Sequence, residues 1–585
     1  MKLSILQELP TSREMIDVFG GYNHNLRIGE GEFFDMKNLT STDYPVLSPR
    51  PQRGVYITPT APQGMIEKDS LCYIDGTDFV MNGYRVNMGL TTEEGNKAKT
   101  LISMGAYVII MPDKKYINTT NLSDYGNIEA SVTTASDVTF ELCKLDGSLY
   151  SGVKAQEKEP DPLNMALWLD TSSTPNVLKQ YSTTSMMWVD VATTYIKITN
   201  EGNEKFGRPF SVGDGITISG ITEKGVTDLN NTMVIMAKGN DFIVVVGVVD
   251  QKITQTTPIK VERKMPNMDF VIESENRLWG CRYGVALNGQ VVNEIYASKL
   301  GDFKNWNVFN TPSISTDSYV ATVGTDGQFT GAITHLGYPI FFKENCMHKV
   351  YGNYPANFQI QTTTCRGVQK GCSKSLAIVN EVLYYKSRSA ICAYDGSLPQ
   401  EISSALGDVA YSDAVAGAIG NKYYISMADS TGKYHLFVCD TKRGLWHKED
   451  NTQVKDFCTS RGELYYIDPT DNKIKTILGS GTVDTDNIEW MAETGVIGTA
   501  YPDKKYISRL DVRMSLKVGT RVYFYVEYDS TGKWEHLFTM TGMTLQSFTV
   551  PVRPKRCDHL RLRIEGDGEA KIYSICKTIE QGSEI

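Results

Sequence analysis

Val382-Leu383-Tyr384-Tyr385, a turn at Ser387-Arg388, and Ile391-Cys392-Ala393-Tyr394 form the stretch that decides the fold. A short run of β-branched and aromatic residues, a polar turn and a second such run read as a β-hairpin. The same unit stands on either side. Tyr338-Pro339-Ile340-Phe341-Phe342 turns near Glu344-Asn345 into His348-Lys349-Val350-Tyr351. Lys422-Tyr423-Tyr424-Ile425 turns at Asp429-Ser430-Thr431-Gly432 into His435-Leu436-Phe437-Val438, and Leu464-Tyr465-Tyr466-Ile467 turns at Pro469-Thr470-Asp471-Asn472. These four hairpins recur at intervals of about 40 residues, the length of one four-stranded propeller blade. A single blade cannot bury both of its faces, whereas blades stacked in a ring cover one another and leave only short edges.

Further hairpins lie upstream. Leu71-Cys72-Tyr73-Ile74 returns through Phe79-Val80-Met81 after Asp75-Gly76, and Ala106-Tyr107-Val108-Ile109-Ile110 returns through Tyr116-Ile117 after Pro112-Asp113. Arg277-Leu278-Trp279-Gly280-Cys281 runs through the Asn288-Gly289 turn to Glu294-Ile295-Tyr296-Ala297. The expectation is an all-β chain, a β-propeller of six or seven irregular blades, with blades in 61–126 and 265–484. Residues 127–264 interrupt the repeat with short strands and Gly-Asp-Gly and Gly-Asn turns, which predicts an inserted small β-barrel or sandwich. In 485–585, Arg521–Tyr528 reads as a strand, and His559-Leu560-Arg561-Leu562-Arg563-Ile564-Glu565 alternates apolar and charged residues, which predicts an antiparallel β-sandwich. Residues 1–60 follow neither pattern and read as an extended N-terminal arm with anchoring aromatics.

Composition agrees with strands. The chain has 585 residues, 41% hydrophobic and 22% charged, and its 32 Tyr, 20 Phe and 7 Trp against 21 Pro suit half-buried pleated surfaces. A formal net charge of -9 without a Lys or Arg block lacks the concentrated basic surface that grips phosphates. Such an average would suit a channel wall along which DNA slides. The N-terminus Met1-Lys2-Leu3-Ser4-Ile5-Leu6-Gln7-Glu8 has no apolar stretch long enough for a signal peptide. The longest apolar run, Phe242 to Val249, is bounded by Asp241 and Asp250, far short of the roughly 20 residues that cross a bilayer, and reads as a buried strand. Eleven Cys without Cys-x-x-Cys spacing argue against a disulfide framework. Cys72, Cys281, Cys392, Cys439 and Cys576 sit among apolar or aromatic neighbours, where a reduced thiol packs as a small hydrophobe.

No phosphate-binding glycine loop, nucleophile elbow or His-Glu-x-x-His occurs. His24, His335, His348, His435, His447, His536 and His559 stand isolated and read as packed or surface residues rather than ligands. Neither catalytic, cofactor-binding nor metal residues are assigned, and the chain is expected not to be an enzyme. Asp468-Pro469-Thr470-Asp471-Asn472 could offer oxygen ligands to calcium but lacks the full series, so a polar turn is the simpler reading. Trp446, after the turn Asp440-Thr441-Lys442-Arg443-Gly444-Leu445, stands either at a ligand face or, the favoured reading, as a wedge between blades. Arg553-Pro554-Lys555-Arg556 could touch DNA or an acidic partner, and reads more simply as a solvated loop.

The arm Phe34-Asp35-Met36-Lys37-Asn38-Leu39 with Leu47-Ser48-Pro49-Arg50-Pro51 resembles the N-terminal stretch of the tail hub proteins of short-tailed bacteriophages. These are also called nozzle or packaged-DNA stabilisation proteins. Glu275-Asn276-Arg277-Leu278-Trp279-Gly280, Ile295-Tyr296-Ala297-Ser298 and Asn305-Trp306 are similar to a blade of the same proteins. The resemblance covers the arm and most blades, not the insertion. It implies a structural virion protein in the phage tail, made in the host cytoplasm and without a membrane span or cofactor. It further implies a homo-oligomeric ring, a hexamer, below the portal and adaptor, with distal spike or needle proteins as further partners. Packaged DNA would pass through the channel without sequence-specific binding and be retained until ejection.

Two readings compete with it. Abundant aromatics could stack on sugars, as in a receptor- or carbohydrate-binding propeller of the tail. Ranked last is a glycan hydrolase or lyase whose carboxylate pair is dispersed along the chain.

Overall fold

A computed structural model describes residues 11–92, 97–162, 167–202, 205–285, 289–308, 316–483, 487–499, 504–542 and 544–581. The expected N-terminus Met1 to Glu8 and Asn288 of the predicted turn lie outside them. The described residues are all-β: strands joined by turns and a few 3-10 turns, with no α-helix. No helix is long and apolar enough to cross a membrane.

Six four-stranded sheets among the described residues, at 62–87, 100–127, 270–322, 331–364, 377–401 and 412–450, have the connectivity of propeller blades, with strands laid side by side in chain order, and a further sheet at 456–476 begins in the same way. Two compact units divide them. The first holds Met1–Leu101, Gly327–Lys349 and Gln361–Ile585. In it, five sheets pack in succession through aromatic and aliphatic side chains. Phe342 meets Tyr385 at 5.1 Å between ring centroids, joining the 331–364 and 377–401 sheets. Tyr384 meets Tyr423 at 5.4 Å, joining 377–401 to 412–450. Tyr424, Leu436 and Val438 cluster with Leu464 and Tyr466 of the 456–476 sheet. Ile467 and Ile474 then cluster with Met65, Leu71, Tyr73 and Val80 of the 62–87 sheet. The apolar runs of the sequence are thus buried on both faces, as stacked blades require.

The 456–476 sheet is completed from the other end of the unit. Gly54–Ile57 pairs antiparallel with Lys473–Thr476, and Thr482–Val483 pairs with its far edge. The N-terminal segment also completes the C-terminal sandwich. Thr11–Ile16 pairs with Ala570–Gln581, and Glu32–Lys37 with Glu489–Thr494. One layer therefore has the order Thr11–Ile16, Ala570–Gln581, Lys505–Leu516, Gln546–Val550; the other runs Gly21–Tyr22, Glu32–Lys37, Glu489–Thr494, Leu560–Asp567, Arg521–Tyr528, Trp534–Thr541. The N-terminal segment runs as a series of short strands rather than as a free arm. Its Phe19, Tyr22, Phe33, Met36, Leu39 and Leu47 are buried in the same cluster as Val512, Phe524, Ile564 and Ile572. The reason is hydrophobic: these side chains gain more by filling the sandwich than by standing free.

The second unit, Ile102–Asp326 and Val350–Ile360, contains the 100–127 and 270–322 sheets. They share a cluster of Ile102, Ile109, Leu278, Phe303 and Trp306. Between them in sequence stand a four-stranded and a five-stranded sheet packed over one core that includes Phe140, Ile198, Ile216, Ile243 and Val261. This is an open sandwich; neither sheet closes into a barrel. Its strand Phe242–Val246 is shorter than the apolar run predicts, because Gly247 turns the chain away to bond Thr194. A third, small sheet carries Val153–Gln156, Leu167–Asp170, Val177–Ser182 and Met187–Asp190.

Phe33 is 1% exposed in the shared core, so Phe33→Ala is expected to cost about 3–5 kcal/mol, lost transfer energy plus a residual cavity. Denaturant unfolding followed by tryptophan fluorescence checks this. An unchanged midpoint would show that the arm is dispensable to the sandwich.

Candidate functional site

Within the first unit, one place brings together arm, blades and sandwich, and it is built around Asn38. The backbone N–H of Asn38 donates to the Glu449 carbonyl at 2.6 Å, and its side-chain amide donates to the Glu489 carbonyl at 2.7 Å. Arg50 Nε donates to Asn38 Oδ1 at 2.9 Å, and Arg50 N to the Asn38 carbonyl at 2.9 Å. Asn38 adopts φ +56°, a left-handed conformation that asparagine accepts more readily than most residues. One residue thus ties the arm to a blade strand and to a sandwich strand.

Beside it lies a buried charge network. Arg53 bonds Glu449 at 2.6 Å and Asp450 at 2.9 Å, while Arg50 approaches Glu449 at 3.5 Å and Asp450 at 3.4 Å. Burial alone would raise the Asp450 pKa, yet the two guanidiniums hold it below the ordinary carboxylate value. Burial also works against the charge of Arg53, but Asp450, Tyr466 and Glu449 more than restore it.

Arg50 and Glu449 line a cleft of about 860 Å³, bordered also by Thr40, Thr42, Lys422, Leu478 and Lys571. Lys422 Nζ donates to Thr40 Oγ1 at 2.7 Å and Thr42 Oγ1 at 3.1 Å, with no carboxylate in salt-bridge range among the described residues. Burial lowers its pKa, partly offset by Glu449 and Asp440. The cleft therefore offers an ammonium, hydroxyls and fixed charges to a polar ligand.

The residues singled out in the sequence mostly turn out to be structural. Trp446 is 2% exposed and donates from Nε1 to the Ile402 carbonyl at 2.8 Å, so it wedges against the neighbouring sheet. Asp468 Oδ1 accepts from Thr470 N at 2.9 Å, and Lys475 bonds both Asp468 and Asp471, so this loop is a turn neutralised by lysine. Asp146, Asp170, Asp395 and Asp429 each accept from the residue two positions on in the same way, which is the turn chemistry of Asp before a Ser or Thr. Lys555 of the basic cluster bonds Glu535 at 2.5 Å. Of the five cysteines singled out, Cys72, Cys281, Cys392 and Cys439 are buried and Cys576 half-buried, all as free thiols.

The histidines are dispersed. His24 bonds the Phe34 carbonyl, His335 the Glu381 carbonyl, His435 Asp429, His536 Thr539 and His559 Ser530. His348 contacts Thr362 at 2.9 Å, and His447 is buried. Among the described residues no group of three or more His, Cys, Asp or Glu is arranged to hold a metal. What sequence reading missed is the Asn38 clamp and the cleft: Asn38 and Glu489 alone stand 451 positions apart, and no local spacing announces them.

No protein-family model matches the chain, and no curated protein does. Among solved structures, PorZ, a surface component of the type-IX secretion system of Porphyromonas gingivalis, is similar over 88% of this chain and 82% of its own, with 10% identity and TM-score 0.26. An exo-β-1,3-galactanase from Phanerochaete chrysosporium covers 52% of this chain and 94% of its own, with 9% identity and TM-score 0.23. A mutant Trypanosoma rangeli sialidase covers 98% of this chain and 97% of its own, with 9% identity and TM-score 0.20. The expectation that the chain is not an enzyme is withdrawn against this set, since glycoside hydrolases and a sialidase stand in it. At these values the likenesses carry no inference about the chemistry of this chain.

Burial, with a smaller contribution from nearby lysine, lowers the pKa of His348 to about 4 and of His447 to about 3, from an ordinary 6.5. Both are neutral when folded, whereas the unfolded chain takes up their protons below pH 6.5. Stability is therefore expected to fall as pH drops from 6.5 towards 4, by about 1.4 kcal/mol per pH unit for each group at full slope. Unfolding across that range checks this, and His447→Gln should flatten the dependence. An unaltered slope would show that His447 is already protonated in the fold.

Glu449→Gln leaves buried guanidiniums short of an anion and is expected to cost about 3–5 kcal/mol, read as a lowered denaturant midpoint. A midpoint equal to wild type would mean that the network is solvated.

Proposed function

We propose that the chain is a tail hub, or nozzle, subunit of a bacteriophage, assembling as a hexameric ring around the DNA channel below the portal and adaptor and retaining packaged DNA until ejection. The observation that carries this reading is the place of the arm motif. The residues that resemble the hub family, Met36, Asn38, Leu39, Leu47 and Arg50, are those that lock the arm between a blade and the sandwich. Packaged DNA pushes on a ring from within, so its subunits must transmit force as rigid bodies. Buried hydrogen bonds and apolar packing at a joint supply that rigidity. A formal net charge of -9 keeps a DNA path from becoming a DNA trap.

A second reading, a carbohydrate-binding β-propeller protein, is favoured by the cleft beside Lys422. Its volume and convergent polar groups suit a small polar ligand.

Native mass spectrometry of the purified chain, together with immunogold labelling of phage particles, separates the two. A ring-sized oligomer and label on the tail axis are expected for the hub. A monomer absent from particles would overturn it. Glycan retention lost in Lys422→Met would then favour the second reading.

A further inference from the structure

The outer face of the six-stranded sandwich layer carries a group of side chains that the hub reading does not use. In Arg521–Tyr528, the residues Tyr523, Tyr525 and Glu527 point away from the core, because Val522, Phe524 and Val526 point into it. Register places Tyr525 opposite His536 and opposite Arg563, and Glu527 opposite Trp534 and opposite Arg561. The result is a row of half-exposed rings with guanidiniums between them. Arg563 lies over the Trp534 ring at 4.1 Å and Arg561 over Phe34 at 4.9 Å. Tyr525 meets His536 at 5.4 Å between centroids and Tyr523 at 6.5 Å from the same ring.

Two properties distinguish this face from ordinary surface. First, its arginines are held in place. Glu493, 6% exposed, accepts from Arg563 at 2.7 Å and from Arg561 at 3.2 Å. Second, the polar ends of the rings are free: the hydroxyls of Tyr523 and Tyr525 and the indole N–H of Trp534 make no hydrogen bond among the described residues. Alternate residues along a strand stand about 7 Å apart and neighbouring strands about 4.8 Å apart, so the rings span a surface of two or three sugar units.

Charge selects among ligands that stack. Arg561, Arg563 and Lys555 stand against Glu493, Glu527, Glu535 and Glu565, so the face has no surplus of cations for a phosphate backbone. Planar rings that pack against C–H faces, next to rigid bidentate donors and acceptors, match a neutral pyranose. We infer that this face binds a neutral glycan, with Trp534 and Tyr525 stacking on successive sugars and Arg561, Arg563 and the tyrosine hydroxyls bonding their hydroxyl groups. It is a different surface from the cleft at Lys422, and it rests on neither reading of the whole protein.

The test is affinity electrophoresis of the full chain through native gels containing soluble yeast mannan, dextran or xyloglucan, with a single-stranded oligodeoxynucleotide shift assay beside it. Retardation in at least one neutral polysaccharide is expected, weakened about tenfold, equivalent to about 1.4 kcal/mol, in Trp534→Ala and Tyr525→Ala. Trp534→Phe, which keeps a ring, should retain most of it. Matching thermal unfolding of the variants shows that the fold is intact. No retardation in any gel, retardation equal in wild type and Trp534→Ala, or a Trp534-dependent shift of the oligonucleotide alone would each overturn the inference.

Discussion

The pairing of Gly54–Ile57 with Lys473–Thr476 is the constraint on which the first unit depends. Its hydrogen bonds join residues 422 positions apart. Closing so long a loop costs conformational entropy, although the cost grows only slowly with length. What offsets it is that this pairing does not stand alone. The same N-terminal segment supplies Thr11–Ile16 and Glu32–Lys37 to the two sandwich layers. Blade, sandwich and arm therefore order together, and the edge that an unfinished blade would expose is covered.

At the centre of that arrangement the buried charges are paired with one another, although Arg53 Nε is buried without a hydrogen-bond partner among the described residues. Asn38 satisfies two carbonyls and accepts from Arg50, and the Arg50–Arg53–Glu449–Asp450 network balances two cations with two anions. A buried network of this kind adds little net stability compared with an apolar core, but it is costly to leave half made. It therefore specifies one geometry between blade and sandwich. A similar device fastens the inserted sandwich of the second unit: Asp214 pairs with Arg263, Arg263 donates to the Ile128 carbonyl, and Asn305 bonds Gly215.

The two surfaces with ligand chemistry differ in what made them visible. On the outer sandwich face, the alternation of Leu560, Leu562 and Ile564 with Arg561, Arg563 and Glu565 is written in the chain, so which residues face out was legible. That Trp534 and Tyr525 stand beside those arginines was not, because a strand's neighbours are set by register across distant segments. The cleft was illegible altogether. Its Lys422, Thr40 and Arg50 come from three stretches that share no local pattern.

The sequence by itself determined the strands and their turns. Hairpins at 338–351, 382–394, 422–438 and 464–476 are where alternating apolar and aromatic runs meet Asp, Asn and Gly turns, since strand and turn formation depend on neighbouring residues. It also favoured a wedged Trp446 over one at a ligand face, and the structure buries that ring. Only the tertiary structure decided where the arm belongs. Read alone, Phe33, Met36 and Leu47 are anchors without a mooring. The fold supplies it from strands at 489–494 and 570–581, and what an apolar side chain buries against is a property of the assembled core rather than of the segment that carries it.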